Sequence, residues 1–462
     1  MSPKLLLMTA LLAAFPAYAA TAVGNNNIDQ RSARRAPLGG QTSQLNPAIP
    51  REYVRADGAS GYLYRPASPH AKSRTALLVM HYEMDYSTLS VCSEMAERGY
   101  SVLCVKNSGG TLDDRLLDVY AAVKYLRNRD DVDKVVLWGH SGGATLLSAY
   151  QMIAENGVQS CQDASKIHRC PDYLQGMPKA DAVIWADSNW GNATMTVLSL
   201  DPAVKQQDNG LQIHQALNLY NPANGFNAQG NSDYSADFIK RFQTVVAQRN
   251  QTLLMQAQKR LQAIEAGQGA FADDEPFVVA GAGSVGPNNK LILQDTRLLA
   301  RTKGKWPLIH KDGSQTVQVV HSVRPPKPIN GLTAKLNMGA VNATVRGWLT
   351  DNAIRLKPDF GYDASGVYGV EWTSSYASTA GNVTQIRVPS LMLGMTGSYE
   401  FLAAELLYHQ SPAKDKQLAF IEGANHMYDT CTACEKTAGQ YGNTLKTLYD
   451  YADKWLSQAG RF

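Results

Sequence analysis

The stretch Lys134-Val-Val-Leu-Trp-Gly-His-Ser-Gly-Gly-Ala144 decides how the chain is read. Lys134–Trp138 reads as a strand, apolar throughout after its first residue, as expected of one buried on both faces. It runs into Gly139-His140-Ser141-Gly142-Gly143, a G-x-S-x-G pattern, and helix-forming residues follow from Ala144 to Ala154. A serine between such a strand and helix is held on a strained turn, with its hydroxyl at the carboxyl edge of a sheet. Side chains at the flanking glycines would collide with the neighbouring strand and helix. The Gly142 N–H, at the start of the helix, can face a developing oxyanion. Ser141 is therefore the candidate nucleophile.

Outward from this turn the chain alternates strand and helix. Thr75–His81 and Ser101–Lys106 read as buried strands, with a helix at Ser90–Arg98 between them that stops at Gly99. Leu116, Leu117, Tyr120, Val123 and Leu126 mark a helix over 112–129. Ala180–Ala186, Ser390–Gly394 and Gln417–Ile421 supply three further strands, and a helix over 439–457 closes the chain. Such alternation implies an α/β fold with a mostly parallel sheet covered by helices on both faces. Residues 189–385 break the rhythm with a long helical pattern over 234–266 and Gly/Pro-rich stretches. They are read as a large, mainly helical cap (189–385) inserted into a catalytic core (20–188 and 386–462).

The elbow, the strand order and a late histidine resemble the serine α/β-hydrolase superfamily, over 75–188 and 386–462. The resemblance implies the chain order nucleophile, acid, histidine. It places the base at His426, in the loop after the last strand (Ile421-Glu-Gly-Ala-Asn-His426). It places the acid in the loop after Ser390–Gly394, where Glu400 is the first carboxylate; Asp187, just past the fourth strand, is an alternative location. The second oxyanion donor is expected after the first buried strand, where superfamily members often have His-Gly. This chain has His81-Tyr82-Glu83, so the donor is the N–H of Tyr82 or Glu83, or the Tyr82 phenol; Tyr82 as a mere wall of the pocket stays open. The implied activity is hydrolysis of a carboxylic ester or lactone through an acyl-enzyme on Ser141. A peptidase or amidase with the same triad, or an inactive binding protein, are the alternatives.

The chain has 462 residues, with 44 Lys+Arg against 40 Asp+Glu, 44% hydrophobic and 18% charged residues. That balance excludes a disordered chain and shows no basic stripe for nucleic acid. No apolar run in its body is long enough for a membrane span. Lys4, the apolar run Leu5–Phe15 and Ala17-Tyr18-Ala19 read as a signal peptide over 1–19, so the protein is expected to be secreted or periplasmic. Export permits disulfides. Cys161 with Cys170 and Cys431 with Cys434 are the first candidates, and Cys92 and Cys104 either pair or stay as buried thiols. The C-x-x-C lacks a second Cys/His pair for zinc, so no metal or cofactor is expected. Four N-x-S/T sequons, at Asn192, Asn250, Asn342 and Asn382, leave glycosylation undecided. Trp190, Trp306, Trp348 and Trp372 would suit an apolar or aromatic ligand, although each by itself is better explained as cap core.

Overall fold

The computed structural model describes residue 46 and residues 48–207, 210–282, 291–326 and 340–462. The signal-peptide reading of 1–19 lies outside the described residues. A ten-stranded sheet organises the molecule. In chain order its strands are β1 (Arg51–Ala56), β2 (Ala59–Tyr64), β3 (Thr75–Val79), β4 (Ser101–Lys106), β5 (Lys134–Ser141), β6 (Ala182–Ser188), β7 (Arg301–Ile309), β8 (Gln315–His321), β9 (Ser390–Met395) and β10 (Lys416–Ile421). Across the sheet they run β1-β2-β4-β3-β5-β6-β9-β10-β7-β8. The centre, from β4 to β7, is parallel, and an antiparallel hairpin closes each edge. This is the α/β-hydrolase fold that the resemblance implies.

Burial on both faces explains why the central strands are continuously apolar. Ala76, Leu78, Val135 and Leu137 point into a core shared with helices α2 (Leu112–Arg127), α3 (Gly142–Asn156) and α5 (Leu402–Gln410). Their strand neighbours Leu77, Val79, Val136 and Trp138 point into the opposite core, with α1 (Ser90–Glu97) and α6 (Thr444–Leu456). The period of two along each strand thus feeds two apolar layers. Burying one such leucine contributes about 1.5–3 kcal/mol, so each strand is held from above and below.

The stretch 189–385 contains α4, a 30-residue helix at Ala236–Glu265 whose N-terminus is capped by Ser235 accepting the Phe238 N–H. The same stretch also contains β7 and β8, which join the central sheet. Gly304 and Pro307 in β7 hid it as a strand. β7 lies one strand in from the edge, between β10 and β8, and Pro307 is tolerated because the pairing on the β10 side does not reach it. Only Leu308 and Ile309 of β7 pair with β10.

All six cysteines are paired: Cys92–Cys104, Cys161–Cys170 and Cys431–Cys434, with Cα–Cα separations of 6.1, 5.6 and 5.2 Å. Among the described residues no helix is long and apolar enough to cross a membrane.

Candidate active site

Ser141 ends β5, and the turn is as strained as the G-x-S-x-G pattern requires. Its φ is +50° and ψ −128°, a region that costs a non-glycine residue about 1–3 kcal/mol. The strand register slips between His140 and Ser141, which lifts the serine out of the ladder. The glycines permit the turn by leaving room. A Cβ on Gly139 would lie 2.7 Å from the Trp185 ring, and one on Gly143 would lie 2.6 Å from the Met80 carbonyl oxygen.

Ser141 and His426 line one cavity of about 530 Å³ at the carboxyl end of the sheet. The His426 loop is tied down by its own backbone. Tyr428 N–H donates to Asn425 O at 3.0 Å, Cys431 N–H to Gly423 O at 2.8 Å, and Gly397 N–H to Ala424 O at 2.8 Å. The Cys431–Cys434 bridge closes the same loop, and Cys431 reaches the cavity wall.

The carboxylate on the imidazole is that of Asp187. Its Oδ2 lies 2.7 Å from His426 Nδ1, and its Oδ1 accepts the Met395 N–H at 3.0 Å. The side chain is fully buried. Because a carboxylate oxygen accepts, Nδ1 carries the proton and the neutral ring's Nε2 is left as a base. Glu400, expected from its chain position to take this place, sits on the other side of the ring, with Oε2 3.9 Å from Nε2. The physical reason is the backbone of β6: Asp187 adopts φ +46°, which turns its carboxylate toward β9 and the histidine loop. Of the five non-glycine residues with positive φ among the described residues, three are Ser141, Asp187 and Tyr428, the last two places after His426. Strain concentrates where side chains must be aimed.

His140, between Gly139 and Ser141, is a positioning residue that sequence reasoning left without a role. Its Nε2 donates to the His426 carbonyl oxygen at 2.6 Å, and its Nδ1 accepts from the Tyr86 hydroxyl at 2.8 Å. Burial, with the neighbouring His426, holds its pKa well below the ordinary value, so it stays neutral. Its place inside the elbow motif was the available signal.

The Glu83 N–H is spent on His81 Nδ1 at 3.0 Å. The Tyr82 hydroxyl is buried and has no hydrogen-bond partner among the described residues; burial and then the charge of Asp351 push its pKa well up, and the Arg115 guanidinium lies 4.1 Å over its ring. Among the described residues the backbone N–H groups of Tyr82 and Gly142 are given to no other protein group either. They lie close together, since a Cβ on Gly142 would come 3.2 Å from Tyr82 Cβ.

The apolar part of the cavity is formed by Met195, Leu293, Pro325, Pro326 and Met427. None of the four tryptophans named above lines it; Trp190 and Trp348 are buried in the core. Among the described residues no group of three or more His, Cys, Asp or Glu side chains could hold a metal ion.

No protein-family profile matches the sequence, and no curated protein is similar to it. Among solved structures, the chain is similar to EstE5 at 10% identity and a TM-score of 0.40, covering 96% of this chain and 95% of that one. It is similar to esterase B from Lactobacillus rhamnosis at 10% identity and a TM-score of 0.39, covering 94% and 95%. It is also similar to Est1E from Butyrivibrio proteoclasticus at 12% identity and a TM-score of 0.35, covering 88% and 97%. Likeness at these values carries no information about substrate.

Proposed function

We propose that the chain is a serine hydrolase that cleaves a carboxylic ester or lactone through an acyl-enzyme on Ser141. The observation that carries this reading is the arrangement around His426. One nitrogen is fixed by a fully buried carboxylate, and the ring shares a cavity with a serine on a strained turn. Ser141 Oγ attacks the ester carbonyl carbon while His426 Nε2 takes its proton. The resulting oxyanion is received by the N–H groups of Gly142 and Tyr82, and removing one such donor typically costs about 10²–10³ in kcat. Collapse breaks the bond to the leaving oxygen, which takes the proton back from the imidazolium. Water, deprotonated by the same Nε2, then releases the acid. Asp187 holds the tautomer and stabilises the imidazolium throughout.

The protein acts outside the cytoplasm in this reading. The signal-like pattern of the sequence over 1–19 and the three disulfides support it, because such bridges persist in oxidising compartments. A p-nitrophenyl ester series from acetate to decanoate, run on wild type and Ser141→Ala, tests the activity. Turnover by wild type that Ser141→Ala abolishes is the expected result. Absence of turnover across the series, together with no wild-type labelling by a fluorophosphonate, would overturn the reading.

A further inference from the structure

His81 sits at the end of β3 beside the elbow, and its two ring nitrogens face different tasks. Nδ1 accepts two backbone N–H groups, Glu83 at 3.0 Å and Met84 at 2.8 Å. A nitrogen that accepts two donors carries no proton, so the proton of the neutral ring is on Nε2. Burial, with the charges of His426 and Arg115, lowers the pKa to about 3, which keeps the ring neutral at every working pH. Nε2 points toward the elbow: a Cβ on Gly142 would lie 3.1 Å from it. His81 lines the same cavity as Ser141, and among the described residues its Nε2 has no protein hydrogen-bond partner. The ring is held in place by Tyr86, at a centroid distance of 4.5 Å. The His81 carbonyl accepts from Asn107 Nδ2 at 2.7 Å.

We propose that His81 is a catalytic residue whose Nε2–H is a third oxyanion donor, beside the N–H groups of Tyr82 and Gly142. The inference rests on the acyl-enzyme reading of Ser141. It gives a physical reason for the missing glycine after His81. Here the histidine side chain folds back over its own loop, consumes the Glu83 N–H, and offers a side-chain donor at the elbow. A neutral imidazole N–H suits this task, because it polarises the oxyanion without becoming an acid that the leaving group could deprotonate in error. The donor is preorganised, so no reorganisation is needed as charge develops.

Two amide substitutions separate this role from a merely structural one. In His81→Asn the introduced oxygen can accept the N–H groups two and three residues on, as Nδ1 does, while the donor at Nε2 is lost. In His81→Gln the longer amide can place an N–H where Nε2 was, at the expense of the loop. With p-nitrophenyl butyrate, His81→Asn should lose about a hundredfold in kcat, with KM within about threefold of wild type and an unchanged melting temperature. Labelling by a fluorophosphonate should slow in parallel. His81→Gln should keep at least about tenfold more kcat than His81→Asn. Wild-type kcat in His81→Asn, or a larger loss in His81→Gln accompanied by a fall in Tm, would overturn the inference and assign His81 to holding the loop. Ser141→Ala distinguishes the levels. Wild-type turnover that Ser141→Ala does not remove refutes the acyl-enzyme reading itself, and this inference with it.

Discussion

Replacing Asp187 by Asn should nearly silence the enzyme without unfolding it, and the geometry says why. Asp187 Oδ1 accepts the Met395 N–H at 3.0 Å, and Oδ2 meets His426 Nδ1 at 2.7 Å. An amide at this position keeps the first bond only by presenting its oxygen to Met395. Its NH2 then points at Nδ1, which must accept, and the imidazole proton moves to Nε2. A protonated Nε2 in a neutral ring cannot take the Ser141 proton. The same exchange in a serine-protease triad costs about 10⁴ in kcat. We expect a loss of about 10³–10⁴, or about 4–5.5 kcal/mol of transition-state stabilisation at 1.36 kcal/mol per decade. Glu400→Gln is the control. Its Oε2 lies 3.9 Å from Nε2, beyond hydrogen-bond distance, so its loss should stay within about tenfold. Steady-state kcat on p-nitrophenyl butyrate, with melting curves to show that both variants are folded, decides the matter. An Asp187→Asn variant that keeps more than about a tenth of wild-type kcat would refute the reasoning. So would a Glu400→Gln variant that loses as much.

Three further outcomes follow from the packing and the charges. Gly143→Ala places a Cβ 2.6 Å from the Met80 carbonyl oxygen, so it should cost about 1–3 kcal/mol and lower kcat by displacing the elbow; wild-type values of both in urea melts and turnover would contradict this. Replacing Cys92 and Cys104 together by Ala opens a 12-residue separation and should cost about 3 kcal/mol from loop entropy, read from urea unfolding, and an unchanged midpoint would count against it. Burial raises Asp201 from the ordinary 3.8 to about 7, so the native state holds its proton longer than the unfolded chain does. The stability this group provides is full below about pH 4 and falls as pH rises to about 7. Asp201→Asn should therefore gain in Tm relative to wild type between pH 5 and pH 8, and a constant difference across that range would refute the assignment.

Much of the core was legible because burial on both faces leaves a plain signature. Thr75–Val79, Ser101–Lys106, Lys134–Ser141, Ala182–Ser188, Ser390–Met395 and Lys416–Ile421 are the strands that the apolar runs announced. The hairpins at the sheet edges were not legible. β1, β2, β7 and β8 mix polar residues with apolar ones, and Pro307 argues against a strand until the short pairing of β7 with β10 is known. Ser141 and His426 share a cavity, as their chain positions suggested. The acid could not be chosen from sequence. Chain position favoured Glu400, whereas the choice is made by a backbone dihedral at Asp187 that no residue pattern encodes. His140 and His81 were visible as histidines next to the elbow and β3. What each nitrogen does depends on which carbonyl or N–H lies opposite, and only folding brings those together.

The central claim is a covalent intermediate on Ser141, and peptide mass spectrometry tests it most directly. Wild-type protein treated with a fluorophosphonate should carry one adduct, on the peptide containing Gly139-His140-Ser141-Gly142-Gly143. Ser141→Ala should carry none at the same exposure. An unmodified wild-type peptide, or an adduct placed on another residue and retained in Ser141→Ala, would contradict the account.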